Sequence, residues 1–203
     1  SPSMGRGVFM DQALELLPAD YWRWHLTAYG PEHSDAAFTW EQFQATTNKD
    51  LADVLGNFVN RIVKFTESKF DGVVPEGGEA GPLEIKLAAD LKAGLETLTA
   101  EFEAMEFRKA AQAARALWVL GNEYLQEAAP WTALKTDRDR AAVVVRTGLS
   151  LVALFARITV PFMPGSAERI GATVGATDLS WPDADPDLLN LVPAGPFVPV
   201  NCG

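Results

Sequence analysis

Cysteine and histidine are nearly missing from this sequence of 203 residues: Cys202 stands alone beside the C-terminus, and the two histidines are His25 and His33. A lone thiol excludes a disulfide framework and a cysteine metal centre. Neither histidine belongs to a Glu-x-x-His pair, which excludes a carboxylate di-iron bundle. No metal site is therefore expected, and the sparing use of cysteine fits a cytoplasmic protein. Long apolar runs are also lacking. The longest, GLSLVALFARITVPFM, meets Arg157 and Pro161 before it reaches the roughly 20 residues of a membrane span, so no membrane partner is expected. The opening residues SPSMGRG are short and polar, unlike a secretory or transit segment. Positive charge is scarce as well: 17 lysines and arginines against 27 acidic residues leave a net charge of −10. Phosphate neutralisation supplies most sequence-independent affinity for nucleic acid, so this surface would repel a duplex laid across it. DNA is not expected as a partner, and any nucleic-acid site must be small and local.

What the chain has in quantity is apolar side chain, 48% of its residues, with six tryptophans among them. That is enough for a sizeable core in one domain with a small appendage. A period of about 3.6 dominates and alternating strands are absent, so the class is all-α. A short helix is expected from Asp11 through Ala13, Leu14 and Leu17, broken at Pro18; a second, ADYWRWHLTAY, ends at Gly30-Pro31. PEHSDAAF reads as a polar loop. From Trp40 to about Phe70 the apolar positions Trp40, Phe43, Leu51, Leu55, Phe58, Ile62 and Phe65 are spaced for a long helix, with an irregularity near Asn48. Residues 71–81 form a loop, and Pro82 suits the first position of the next helix. Helices are expected over 83–105, 107–128, 137–159 and 166–174, with Pro130 stopping the second of them. The tail 176–203, rich in Pro, Asp and Gly, reads as extended coil lying along a neighbouring surface.

Projected at about 100° per residue, Asp53, Asn57, Asn60, Arg61, Lys64 and Ser68 share one face of the 51–68 helix, opposite Leu51, Leu55, Phe58, Ile62 and Phe65. Asn57 and Arg61 are four apart and therefore neighbours. Such a face is either simply solvated, with Arg61 paired to one of many carboxylates, or a set of donors aimed at a ligand. Trp131 follows the helix-stopping Pro130 and is open to the same two readings: a lid on the core, or a platform on which an unpaired base stacks for roughly 1–3 kcal/mol. RNA readers work in that way on splayed single-stranded loops. Other clusters carry less. Glu101, Glu103 and Glu106 are solvated carboxylates, Trp22, Trp24 and His25 are packing residues, and EGGEAG lacks the strand and lysine of a phosphate loop.

The ordered segments GRGVF, DYWRWHL, PEHSDAAFTWEQF, NKDLADVLGNFVNRIVKF, EFRKAAQAARALWVLGNEYLQEAAPW and VPFMP together resemble the C-terminal part of bacterial-type methionyl-tRNA synthetase, a class I aminoacyl-tRNA synthetase. The resemblance covers nearly the whole chain. Its most specific parts are Leu-Gly-Asn-x-x-x-Arg and Ala-Pro-Trp. It implies a helical-bundle anticodon-binding domain (31–175) entered through connector helices (8–30) and followed by the 176–203 tail. It also implies that Asn57, Arg61 and Trp131 face the CAU anticodon of methionine tRNA, with Asn60, Lys64 and Pro130 as further RNA contacts. Residues 1–7 resemble the end of the family's Lys-Met-Ser-Lys-Ser loop, Ser1, Pro2 and Ser3 filling its last three places and Pro2 replacing a lysine. The expected parent enzyme activates methionine with ATP, whereas this segment carries no catalytic residue and no cofactor site. Its expected partners are methionine tRNA and the catalytic domain of the same enzyme. Two other readings stand beside this one: a helical scaffold that binds only protein, and the anticodon domain of a valine, leucine or isoleucine synthetase, which the Ala-Pro-Trp segment disfavours.

Overall fold

In the computed structural model, residues 14–30 and 39–196 are described. The remnant of the catalytic loop and the polar loop 31–38 expected above lie outside them. Leu14 to Leu17 are not helical, which corrects the expected helix over this stretch; Asp11 and Ala13 also lie outside the described residues. Two causes act on the segment. A residue before proline is pushed out of the α region, and Leu17 has ψ 134°. Its amides also have other partners, Leu14 N–H donating to Asn60 Oδ1 (2.9 Å) and Leu17 N–H to Ser166 Oγ (3.0 Å). Pro18 starts a helix where a break was expected: α1 spans Pro18–Tyr29. Gly30 ends it at φ 63°, where a Cβ would stand 2.8 Å from Arg108 Nη2, so the turn and the close approach both require glycine.

The long rod that follows has three parts: α2 (Trp40–Asp50), a π-helical turn (Leu51–Gly56) and α3 (Asn57–Lys69). Thr39 caps its start, Oγ1 accepting from Gln42 N–H at 3.1 Å. The irregularity expected near Asn48 falls at Leu51. Its cause is tertiary: Asn122 Nδ2, from a helix distant in sequence, donates to the Val54 carbonyl within the wide turn at 2.9 Å. π turns are rare and concentrate at functional sites.

Helix α4 (Pro82–Glu103) begins at Pro82 as expected, and α5 (Phe107–Ala128) folds back along it. A single turn, α6 (Pro130–Ala133), leads to α7 (Arg138–Thr159), and α8 (Pro164–Ala172) closes the bundle. By length and composition α7 could cross a membrane, yet 16 of its 22 residues are buried in the bundle, as befits its central helix. The all-α expectation holds. One short extended pairing is added among the described residues: β1 (Val73–Val74), inside the expected loop, pairs antiparallel with β2 (Gly195–Pro196) of the tail. The tail reaches it by lying on the bundle itself. Trp181 Nε1 donates to Thr99 Oγ1 (3.1 Å), Arg157 Nε donates to the Ser180 carbonyl (2.8 Å), and Leu188 and Val192 are buried.

The core joins α1 to the bundle. Trp24 packs on Trp118 with ring centres 4.9 Å apart and edge-on to Phe162 at 5.4 Å, while Phe58 of α3 meets Phe155 of α7 at 5.2 Å. Gly121 makes this closeness possible: a Cβ there would lie 2.9 Å from Phe155 Cε2 and 3.0 Å from Phe58 Cε1. Gly121→Ala is therefore expected to overpack the core and cost about 1–3 kcal/mol in a urea melt. A melt unchanged from the parent would show that the two phenylalanines can move aside freely.

Candidate nucleic-acid interface

The face chosen from the spacing does present its polar groups, but not all in one direction. Asn57 is exposed at the start of α3, and Arg61 is half-buried one turn further on. Phe58, Val59 and Ile62 are buried behind them and fix the rotation of the helix. Asn60 turns elsewhere: its Oδ1 accepts the Leu14 N–H, so this amide is occupied in holding the segment before Pro18 to α3. Lys64 is exposed and lies beside Glu67, whose carboxyl is pushed up by burial and pulled partly back by that ammonium.

The aromatic side of the site is built by an abrupt turn. Helix α5 stops at Ala128, and Ala129 adopts a left-handed conformation (φ 42°), costly for a residue with a Cβ. Pro130 then restarts the chain as the first residue of α6. In place of the surface contact expected of it, Pro130 is buried, so its ring serves to anchor the turn. Trp131 emerges next, 37% exposed. The Arg61 guanidinium carbon lies over its indole, 4.9 Å from the ring centre, and Phe65 meets its edge at 6.4 Å. Among the described residues Arg61 forms no ion pair with a carboxylate; its partner is the indole face. Arg61 and Trp131, 70 positions apart in sequence, thus form one platform, and Asn57 sits a helical turn from it.

Spacing did not reveal Asn122. It lies on α5 opposite Asn57, its Oδ1 3.4 Å from Asn57 Nδ2, while its own Nδ2 holds the Val54 carbonyl. A signal was available, since Leu120-Gly121-Asn122 repeats Leu55-Gly56-Asn57. Between these helices runs an open groove of about 530 Å³, lined by Asp53, Asn57, Arg61, Asn122, Glu123 and Gln126 among others. Amides offer paired donors and acceptors, carboxylates accept from exocyclic amino groups, and Arg61 donates. Such a mixture suits the edges of bases better than a phosphate backbone, which the acidic side chains repel.

Residues 74–201 match the family model described as the anticodon binding domain of methionyl tRNA ligase, well over half of the chain, and residues 1–63 match the model for class I tRNA synthetases (M). The chain belongs to the methionyl-tRNA ligase family. A Methionine--tRNA ligase of Caulobacter sp. (strain K31) is 67% identical over 186 residues, which are 92% of this chain and 32% of that protein. The corresponding ligase of Ruegeria sp. (strain TM1040) is 55% identical over 195 residues, 96% of this chain and 34% of its own. The chain thus spans about a third of the length of the curated relatives it matches. The fold is shared with the crystal structure of Mycobacterium tuberculosis methionyl-tRNA synthetase bound by methionyl-adenylate. The TM-score is 0.75 at 23% identity, covering 92% of this chain and 37% of the other. Membership of the methionyl-tRNA ligase family decides against a protein-only scaffold and against the valine, leucine and isoleucine synthetases. It also divides the site: Asn57 and Arg61 fall in the class I synthetase match, Asn122 and Trp131 in the anticodon-domain match.

Proposed function

We propose that this segment selects methionine tRNA by its CAU anticodon, within a ligase whose remaining part activates methionine with ATP and transfers it to that tRNA. The observation that carries the reading is the Arg61–Trp131 platform beside the Asn57–Asn122 groove. Trp131 stacks on an anticodon base, and Arg61, held over the indole, contacts a base edge or phosphate. Asn57 hydrogen-bonds a base edge, and Lys64 supplies outer attraction for the loop backbone. Asn60 keeps its structural partner and reads nothing. The partners are the anticodon loop of methionine tRNA and the catalytic domain of the same enzyme, and the setting is the bacterial cytoplasm. A net charge of −10 supports a local, base-directed site, because a general phosphate surface would need the opposite balance.

The reading is tested by binding of anticodon stem-loops to the full-length ligase at fixed salt. A CAU stem-loop is expected to bind at least about tenfold more tightly than one with a single base changed, the discrimination of a well-made base contact. Equal binding of both would defeat the proposal.

A further inference from the structure

The two asparagines that face each other across the groove are not equivalent, because a backbone carbonyl fixes one of them. Asn122 on α5 donates through Nδ2 to the Val54 carbonyl of the π turn at 2.9 Å, and the Trp118 carbonyl, one turn back on its own helix, lies 3.5 Å from the same nitrogen. A carbonyl oxygen only accepts, so the end of the Asn122 amide turned towards these two is its nitrogen. Its Oδ1 points the other way and meets Asn57 at 3.4 Å. An amide oxygen also only accepts, so the end of Asn57 on that side is again the nitrogen. At this length the contact is weak, and its polarity matters more than its strength. Turning the Asn57 amide over would set two oxygens against each other.

The order is thus Val54 carbonyl, Asn122 amide, Asn57 amide, each accepting from the next. Its open end is Asn57 Oδ1, which has no hydrogen-bond partner among the described residues and belongs to a side chain lining the groove. Asp53 and Glu123 line the same groove, so acceptors predominate there. An acceptor held beside carboxylates suits a group with hydrogens to give. The exocyclic amino group of cytosine or adenine carries two. The keto oxygen that takes its place in uracil or hypoxanthine carries none, and it meets the fixed Asn57 oxygen as a second acceptor. Such a base forfeits a hydrogen bond and also sets like dipoles together.

We propose that Asn122 is a positioning residue that sets the specificity of the groove: tied to the Val54 carbonyl, it turns the Asn57 amide so that its oxygen faces the ligand, and the base read at Asn57 bears an exocyclic amino group. The inference rests on the anticodon-reading function proposed above, and among the CAU bases it assigns cytosine or adenine, not uracil, to Asn57. An Asn57 amide released from Asn122 offers either end to the ligand and discriminates less.

The test measures binding of anticodon stem-loops to the full-length ligase at fixed salt. The CAU loop is compared with two loops in which an amino group becomes a keto group, cytosine replaced by uracil or adenine by hypoxanthine. In the parent, one of these swaps is expected to weaken binding at least about tenfold. In Asn122→Ala the Asn57 amide turns its nitrogen to the keto oxygen, and the same swap should cost less than about threefold. Asn122→Asp still presents an oxygen to Asn57 and should keep the parent's penalty. Each penalty is a ratio within one protein, so a general loss of affinity or stability cancels. A folded Asn122→Ala that keeps the full penalty would overturn the proposal; if that variant does not fold, Asn122→Asp decides, and its losing the penalty would overturn it. So would a parent that ignores both swaps while still rejecting other anticodon changes. Indifference of the parent to every anticodon change would instead defeat the anticodon reading, so the two failures are told apart.

Discussion

Replacing Trp131 with alanine in the full-length ligase lowers kcat/KM for methionine tRNA about 10- to 100-fold, the kinetic equivalent of losing one stacked base. Adenylate formation without tRNA should be unaffected, and the melting temperature should change little, because the indole is more than a third exposed and its ring partners are the half-buried side chains of Arg61 and Phe65. Arg61→Ala should produce a loss of similar size. The two residues form a unit, so the double variant should lose clearly less than the product of the single losses. In the proposed site the guanidinium over the indole would hold the ring in the orientation a base meets. Single-variant effects that multiply in full would show that the cation–π contact does not organise the site.

The largest effect on stability is expected at Glu84. This carboxylate is 3% exposed and fully engaged. Oε1 accepts from Arg140 Nη1 (2.6 Å) and from the Gly81 amide (2.7 Å); Oε2 accepts from Arg140 Nη2 (2.7 Å) and the Tyr124 hydroxyl (2.6 Å). One side chain thereby closes the start of α4 onto α5 and α7. Glu84→Ala leaves Arg140 and Tyr124 facing a void and should cost about 3–5 kcal/mol in a denaturant melt, the range for removing one partner of a buried pair. Tyr124→Phe should cost only about 1 kcal/mol, since Arg140 still balances the charge. Equal losses from both variants would contradict the ranking.

The same cluster sets an acid limit. Burial alone would raise the Glu84 carboxyl, but the Arg140 hydrogen bonds, reinforced by Tyr124 and the Gly81 amide, outweigh it and hold it below its ordinary value. Arg140 moves the other way, raised chiefly by its hydrogen bonds to Glu84. A group with a lowered folded pKa stabilises the fold at pH above its unfolded pKa, and that contribution disappears as pH falls through the folded one. Wild type should therefore lose stability below about pH 4.5, the ordinary glutamate value. The Glu84→Gln variant should lose distinctly less over the same range. Parallel pH profiles for the two proteins would assign the acid sensitivity to other carboxylates.

The parts of this fold readable in advance are those that one helix dictates to itself. Pro82 marks the start of α4, Pro130 marks the end of α5, and the apolar spacing of 138–159 marks the central helix, because proline geometry and a 3.6-residue period act locally. What escaped reading depends on partners distant in sequence. The π turn at Leu51–Gly56 answers to Asn122, and the non-helical stretch before Pro18 answers to Asn60 and Ser166. The tail has no apolar period, so nothing local says that Trp181 will find Thr99 or that Arg157, an oddity in an apolar helix, will bind Ser180. The candidate site divides in the same way. Asn57 and Arg61 were legible as neighbours on one helix, whereas their meeting with Trp131 and Asn122 is a product of packing. Asn60 shared the helix face by angle and was claimed by the backbone of Leu14.

The central claim is that an anticodon base rests on Trp131 with Asn57 and Arg61 beside it. The measurement that tests it most directly is photocrosslinking of the full-length ligase to methionine tRNA carrying 5-iodouridine at the uridine of its CAU anticodon, followed by peptide mass mapping. The proposed site predicts adducts on the peptides spanning 51–68 and 119–135, with Trp131 the principal residue and loss of that adduct in Trp131→Ala. Adducts confined to other peptides, with both of these clean, would contradict it.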